Sequence, residues 1–561
     1  MFIRGELRLA NARIDGREEL IEKLKGKVAL NQSPTDAELI LYAYEAWGED
    51  CVKHLIGDFA FAIWDNRSQR LFCARDHFGV KPFFYSCAGN DFIFSDNLNE
   101  LRRDARVSDA LDEIAIGDYL VFGLNQDLSS TTFKDIRRLP PGHSLTFREG
   151  SMTIRRYWTP AVPNEVHFRD RHSYVERFLE LLSQAVDDRL RTDRVSVSMS
   201  GGLDSTSVAV LACECLGSSR VQACTVVYDH LIPDEERQYS KAAAEHLGIP
   251  ISYVVADRCS LFDEQVAGDM DQPEPFLLSP LTAQFHNLLR LCAAHGPVAL
   301  TGFDGDAFMT EPFSSYFRSS AKSLKLNDLA TATSWYVWTQ RALPPIGFRT
   351  RIKRMLRKER SDSFFPDWID KSFAKRTNLD ARVKESANDR VHAVERRPAA
   401  LQFLKSKVWA PLFEGYDSGA TKLDLELRHP FMDLRLVEYL LAIPAVPWCV
   451  NKHILRVAMK DRLPAAVLNR PKTPLAGNPA LQLARHASVR WLDSFEVNPQ
   501  LRDFVDLNLR RSIADEQTPD GLWASLRVFA LNYWLTNSQP IDRRITANKN
   551  RDSVLWKTSI A

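Results

Sequence analysis

Between Val195 and Cys213 the chain passes from an alternating apolar strand (Val195, Val197, Met199) through Ser200-Gly201-Gly202 into an apolar, helix-compatible run. A strand, a Gly-Gly turn and a helix in succession build an anion site. Backbone N–H groups at the helix start point into the loop, and the helix dipole adds positive potential. The glycines let the main chain approach the anion with no Cβ in the way. Ser200 and Ser205 add hydroxyl donors, and Asp204 is placed to hold Mg²⁺ between itself and a phosphate. No Gly-Lys-Ser/Thr follows, which excludes a Walker A loop. The binding set read here is Ser198, Ser200, Gly201, Gly202, Leu203, Asp204 and Ser205.

At 561 residues the chain exceeds one ordinary core, so two or three domains are expected. The net charge of +1 gives no drive toward nucleic acid or an anionic membrane. The nine cysteines are scattered, with no Cys-x-x-Cys pair, which favours neither a zinc site nor a disulfide framework. A reducing, cytoplasmic setting fits. The first residues carry charges where a signal peptide needs an apolar core, and no apolar run is long enough to span a bilayer.

Downstream of the loop, Val221–Tyr228 and Ile251–Val255 read as strands and Asp234–Leu247 as a helix, after a helix that starts near Tyr174. Strands alternating with helices predict a parallel, doubly wound sheet with its ligand at the strand C-terminal ends. Ser-Gly-Gly-Leu-Asp-Ser (200–205) resembles the pyrophosphate loop of the N-type ATP pyrophosphatases, which cleave ATP between its α- and β-phosphates to adenylate a substrate. The resemblance implies further site residues. Leu300-Thr-Gly-Phe-Asp-Gly-Asp306 is similar to the second phosphate-side element, with Gly302 at the nucleotide and Asp306 matching the aspartate that binds Mg²⁺ beside Asp204. The glutamate of asparagine synthetase is replaced by Phe303. Asp304 reads either as a base for a substrate amine or as a turn residue. Val227 and Tyr228 fall where the adenine wall is expected, with plain core as the other reading. Asp234-Glu235 reads as a family pair or as a helix start. Leu425–Asp433, Lys452-His-Ile-Leu-Arg456 and Asn469–Leu475 match three more synthetase motifs. Lys472 matches the essential lysine whose ammonium stabilises the charge developing on the α-phosphate.

Residues 1–158 read mainly as strands with a helix over Asp36–Trp47, its N-cap at Ser33 or Thr35. Gly57–Asp65 and Ala74–Pro82 resemble the glutaminase domain of asparagine synthetase, an Ntn-hydrolase-like fold. That family uses an N-terminal cysteine as nucleophile. Here residue 2 is Phe, the first cysteine is Cys51, and Arg13 stands where the family has a substrate-binding glutamate. The reading is a non-glutaminase platform. The match begins inside the family domain, so the first strands are either lost from a relic or encoded upstream, and a relic would leave a sheet edge to be covered.

The expected architecture is therefore α/β: a truncated, glutaminase-like β-rich α+β domain over 1–158, then an ATP-pyrophosphatase domain over 159–561 with helical additions. Tyr157–Asn164 forms the linker. Residues 312–400 read as a helix-rich insertion that includes a basic run at 349–358. Phe365–Arg382 is similar to homologues acting on peptides. Beyond Ala484 the pattern reads helical to Trp534, and the tail after Asn550 reads as frayed. The resemblance implies an ATP- and Mg²⁺-dependent, AMP-forming ligase. It is closest in kind to the macrolactam cyclases of lasso peptide biosynthesis, which act on a precursor peptide beside a leader-binding protein and a leader peptidase. An ammonia-fed asparagine synthetase, a β-lactam synthetase-like enzyme and an inactive peptide- or nucleotide-binding scaffold are the other readings.

Overall fold

The computed structural model describes residues 5–89, 91–263, 270–275, 279–303, 305–322, 326–340, 365–388, 396–470, 477–485, 492–510, 512–516, 518–537 and 556–558. The basic run at 349–358 lies outside them.

Strand β1 (Gly5–Asp15) pairs antiparallel with β2 (Ile56–Asp65), and β2 with β3 (Arg70–Arg75). The next strands are β4 (Phe84–Ala88), β5 (Asp91–Ser95), β6 (Arg137–Arg138), β7 (His143–Arg148) and β8 (Ser151–Arg156). They build two antiparallel sheets, β1-β2-β3-β7-β8 and one around β5-β4-β6. Alternation along β2 serves both of its faces. Phe59, Phe61 and Ile63 pack with Leu39, Ile40 and Ala43 of the helix Asp36–Trp47. Ala60 and Ala62 face Tyr85, Phe92 and Phe94 of the second sheet, small residues opposite large ones. The helix starts at a capping box between Thr35 and Glu38, so Thr35 is the cap.

The second domain holds a parallel sheet: β9 (Val195–Ser198), β10 (Val221–Val227), β11 (Ile251–Val255), β12 (Val298–Thr301) and β13 (Glu426–Arg428), in the order β11-β10-β9-β12-β13. The chain winds outward from β9 in one direction, then returns to β12 on its other side. The sheet is doubly wound as expected, and β9 and β12 flank the switch point where ligands enter such sheets.

Two expectations fail. The stretch 485–518 is not a continuous helix. Its described parts hold short 3₁₀ turns at Pro499–Asp503, Leu507–Leu509 and Ile513–Asp515, before one long helix, Pro519–Asn537. Asn498 and Asp506 each accept a backbone N–H two residues on, which closes local turns in place of helix. The tail is also not wholly frayed: β14 (Trp556–Thr558) pairs antiparallel with β5. It lies on the outer side of β5, where an open sheet edge would need cover.

The two domains meet through a shared apolar cluster, in which Ile116, Leu120 and Phe133 join Leu526, Phe529 and Trp534, and through buried charge. Arg138 donates to Glu414 at 2.8 Å, and Arg75 to the same carboxylate at 2.9 Å. Arg13, 2% exposed, is held by Asp15 at 2.9 Å and Asp58 at 2.6 Å. Arg189 bridges Asp15 to Asp433. The described part of the insertion adds two arginine clamps: Arg376 to Glu113 at 2.7 Å, and Arg382 to Asp118. Leu379 presses against Gly117 between them, where an added Cβ would meet Leu379 Cδ2 at 2.6 Å. Phe365–Arg382 thus binds the N-terminal domain along helix Glu113–Phe122.

His429 is 2% exposed, and burial lowers its pKa to about 4. The unfolded state then binds more protons between about 4 and 6.5, so stability drops as pH falls through that window. Replacing His429 by Gln should remove its share, up to about 3 kcal/mol. Melting curves at pH 7.5 and 4.5 should show the stability gap between parent and His429→Gln narrowing on acidification; a constant gap would contradict the assignment.

Candidate active site

The two loops that leave β9 and β12 converge because their strands are neighbours. The first, Met199–Gly202, opens the helix Leu203–Leu216. Its shape is held from inside. Ser205 Oγ accepts the Ser200 N–H at 3.1 Å, Thr206 Oγ1 donates to the Gly202 carbonyl at 2.8 Å, and Met199 N donates to the Cys224 carbonyl on β10. Gly201 sits at φ +65°, and a Cβ there would meet Ser240 N at 2.7 Å, so this glycine allows packing against the helix Glu236–Leu247. Gly302 lies where a Cβ would come within 2.5 Å of Ser205 N. Gly305 backs directly onto the Asp204 carboxylate, 2.6 Å from Cγ by the same measure. The two loops touch at glycines because nothing larger fits.

That contact brings Asp204 and Asp306 together. Asp204 stands in the first turn of its helix and Asp306 in the first turn of helix Gly305–Met309. Both reach one ammonium: Lys452 Nζ lies 2.6 Å from Asp204 Oδ2 and 2.7 Å from Asp306 Oδ1. Lys452 is anchored by its own N–H, which donates to the Met309 carbonyl at 2.9 Å. Asn451 and Lys452 both take left-handed backbone, φ 49° and 57°. For lysine this costs about 1–3 kcal/mol, and such strain gathers at functional sites. The ammonium marks a position where two carboxylates share one cation within 3 Å, and that donor set suits Mg²⁺, which takes a few carboxylates together with phosphate oxygens and waters.

Around this pair opens a cavity of about 850 Å³, toward the upper end for small-molecule sites. Ser198, Ser200, Gly202, Leu203, Asp204, Ser205, Gly302 and Asp306 line it. Gly201 lies behind the wall. Val227 is fully buried, and Tyr228, 9% exposed, turns its hydroxyl to Gln284 Oε1 at 2.8 Å; both fall in the core beside the cavity and outside its described lining. Asp234 accepts the amides of Tyr228 and Glu236, each at 2.8 Å, which is the helix-start reading. Asp304 and Lys472 lie outside the described residues. The inner wall carries Phe303, stacked on His429 with centroids 5.8 Å apart and planes 6° apart. His429 in turn is 2.7 Å from Thr301 Oγ1.

Sequence reasoning did not assign Lys452 a role, although its Lys-x-x-Leu-Arg setting was visible. It also passed over Arg470. That guanidinium grips Glu236 through both nitrogens at 2.9 and 3.1 Å, donates to the Ser200 carbonyl at 3.2 Å and covers the Tyr239 ring at 4.3 Å. It ties Arg470 to the first loop. In the N-terminal domain, Cys51 is fully buried, and burial pushes its thiol up, away from the thiolate a nucleophile needs.

Residues 9–158 match the model of the glutamine amidotransferase domain, and residues 177–536 match that of asparagine synthase. Asparagine synthetase [glutamine-hydrolyzing] 3 of Bacillus subtilis is 27% identical over 83% of this chain and 74% of its own. Amidase chry2 of Gibberella zeae is 26% identical over 79% and 73%. A putative asparagine synthetase of Mycobacterium bovis is 28% identical over 78% and 69%. Among the described residues no helix is long and apolar enough to cross a membrane.

The glycine contacts give a graded test. Gly302→Ala should cost about 1–3 kcal/mol through forced displacement of the Ser205 backbone and weaken MgATP binding. Gly202→Ala, whose Cβ would meet only the Ser200 hydroxyl at 3.2 Å, should fold nearly as the parent does. Thermal melts and MgATP titration decide it; equal behaviour of the two variants would contradict the packing argument.

Proposed function

Because the chain belongs to the asparagine synthase family, we propose that it forms an amide bond by adenylating a carboxylate, and that the substrate is a precursor peptide closed into a macrolactam. The observation that carries this is the meeting of Asp204, Asp306 and Lys452 at the switch point of the sheet, in one open cavity with the glycine loop. In the first half-reaction a side-chain carboxylate of the peptide attacks the α-phosphorus of ATP, and the bond to the β-phosphate breaks. Pyrophosphate leaves toward the backbone amides at the start of helix Leu203–Leu216. Asp204 and Asp306 would hold Mg²⁺, which as a bound cation neutralises phosphate charge. Lys452 supplies a fixed positive charge beside them. In the second half-reaction the peptide N-terminal amine attacks the acyl carbon, AMP leaves with the bonding pair, and one proton is released. Holding amine and acyl group in one chain supplies much of the rate.

Phe303 supports an amine other than free ammonia: an aromatic ring stacked on His429 occupies the wall where the resemblance places a glutamate. The closed Arg13–Asp58 pair, where the resemblance places a substrate-binding glutamate, supports the absence of glutamine hydrolysis in the N-terminal domain. Asp304 as amine base and Lys472 as a further cation remain part of the proposal, as do a leader-binding protein and a leader peptidase as working partners. The bacterial relatives are named as glutamine-hydrolyzing asparagine synthetases, which favours asparagine formation as a second reading, here fed by ammonia in place of glutamine.

The readings separate by mass. With ATP, Mg²⁺ and a candidate precursor peptide, the product should be lighter than the peptide by one water. Asparagine formed from aspartate and ammonium, with the peptide unchanged, would overturn the cyclase reading. Lys452→Met should slow turnover about a hundredfold or more, the loss typical of removing a preplaced charge at a reacting phosphate. Asp204→Asn should abolish it while melting as the parent does.

A further inference from the structure

Strand β13 is three residues long and, among the described residues, pairs only with β12, the strand that delivers Thr301, Gly302 and the turn into Asp306. So short an edge strand needs other anchors: Leu425 and Leu427 pack into an apolar cluster, and Glu426 and Arg428 are held by charge. The Glu426 carboxylate accepts Lys81 Nζ at 2.9 Å and Arg428 Nε at 2.9 Å, and lies 3.9 Å from Arg13. Lys81 and Arg13 both belong to the N-terminal domain. Neither is loose. Arg13 is clamped by Asp15 and Asp58, and the backbone around Lys81 is fixed by Asp76, whose carboxylate accepts the amides of Phe78, Gly79, Val80 and Lys81. Arg428 also donates to the Arg189 carbonyl at 2.7 Å.

The other end of β13 leads to the nucleotide cavity. His429, the next residue, meets Thr301 Oγ1 at 2.7 Å and stacks on Phe303. Gly302 follows Thr301 and has no slack against Ser205. A shift of β13 therefore passes through one side-chain contact and one ring stack to the loop that carries Asp306. Glu426, Arg13 and Lys81 themselves stand outside the cavity lining.

We propose that the N-terminal domain is a positioning device for the adenylation site, with Glu426 as the residue through which Arg13 and Lys81 set the height of β13 and hence the place of Gly302 and Asp306. The inference rests on the ligase reading for what the site does, but its mechanical part does not.

The test uses the full chain with Glu426→Gln, which keeps shape and removes charge, and Arg13→Lys, which keeps charge. In Glu426→Gln, amide hydrogen exchange at 298–303 and 305–309 should accelerate at least tenfold while β10 and β11 exchange as in the parent. MgATP affinity should fall at least fivefold. Arg13→Lys should retain most of both. Exchange that quickens only at 426–428 with MgATP affinity unchanged would overturn the proposal, and so would acceleration spread evenly over the whole sheet. Neither readout needs turnover: a parent chain that binds MgATP but joins no peptide would refute the cyclase reading, while the exchange pattern would still decide this one.

Discussion

Two carboxylates that share one cation at the crossover of a parallel sheet set the terms for the rest of this structure. Asp204 and Asp306 come from loops about a hundred residues apart in sequence. They meet because β9 and β12 are adjacent and because Gly302 and Gly305 leave no side chain between the loops. Bringing two anions this close is unfavourable unless a cation compensates both. Lys452 does so, tied by its backbone to the end of the helix that carries Asp306. The arrangement is ready for a triphosphate: amides and a helix N-terminus for the anion, carboxylates for its metal, and an ammonium beside both.

The N-terminal domain has a different character. Its sheets are closely packed, and its contacts to the second domain combine an apolar cluster, in which Ile116, Leu120 and Phe133 join Leu526, Phe529 and Trp534, with buried arginines paired with carboxylates. Such pairs add little net stability against apolar packing, because desolvation offsets most of the attraction. They are directional, however, and a misplacement that leaves one partner unpaired is costly. Burial would raise the Glu426 carboxyl, yet Lys81, Arg428 and Arg13 together draw it well below its usual range. At Asp433, hydrogen bonds from Arg435 and the charge of Arg189 overcome burial and bring the pKa down to about 2. These groups stay charged at neutral pH, and Glu426, held by Lys81 and Arg13 of the N-terminal domain, adds direction to a contact that is otherwise largely apolar.

Much of this was legible in the chain itself. The glycine loop announces itself because its requirements are local: close backbone approach, small hydroxyls and one carboxylate within six residues. The parallel sheet follows from strand–helix alternation, while the helix start was narrowed only to Ser33 or Thr35 until the capping box chose Thr35. Pairings across long separations were not legible. Arg13 read as a cation standing where the family has a substrate-binding glutamate, and its interior partners Asp15 and Asp58 were not foreseen. Lys452 read as one letter of a motif, because only tertiary structure shows which carboxylates it neutralises. The stretch after Ala484 read as helix on periodicity, but side-chain oxygens of Asn498 and Asp506 satisfy backbone donors locally and break it into turns. A tail without apolar pattern gave no hint that three of its residues extend a sheet, since backbone pairing asks little of side chains.

The central claim is that this site breaks ATP at its innermost phosphoanhydride. Phosphorus NMR of the full chain with ATP, Mg²⁺ and a precursor peptide addresses it directly. The account predicts AMP and pyrophosphate appearing in equal amounts, in step with the peptide product. ADP and orthophosphate, or AMP that accumulates without pyrophosphate, would contradict it.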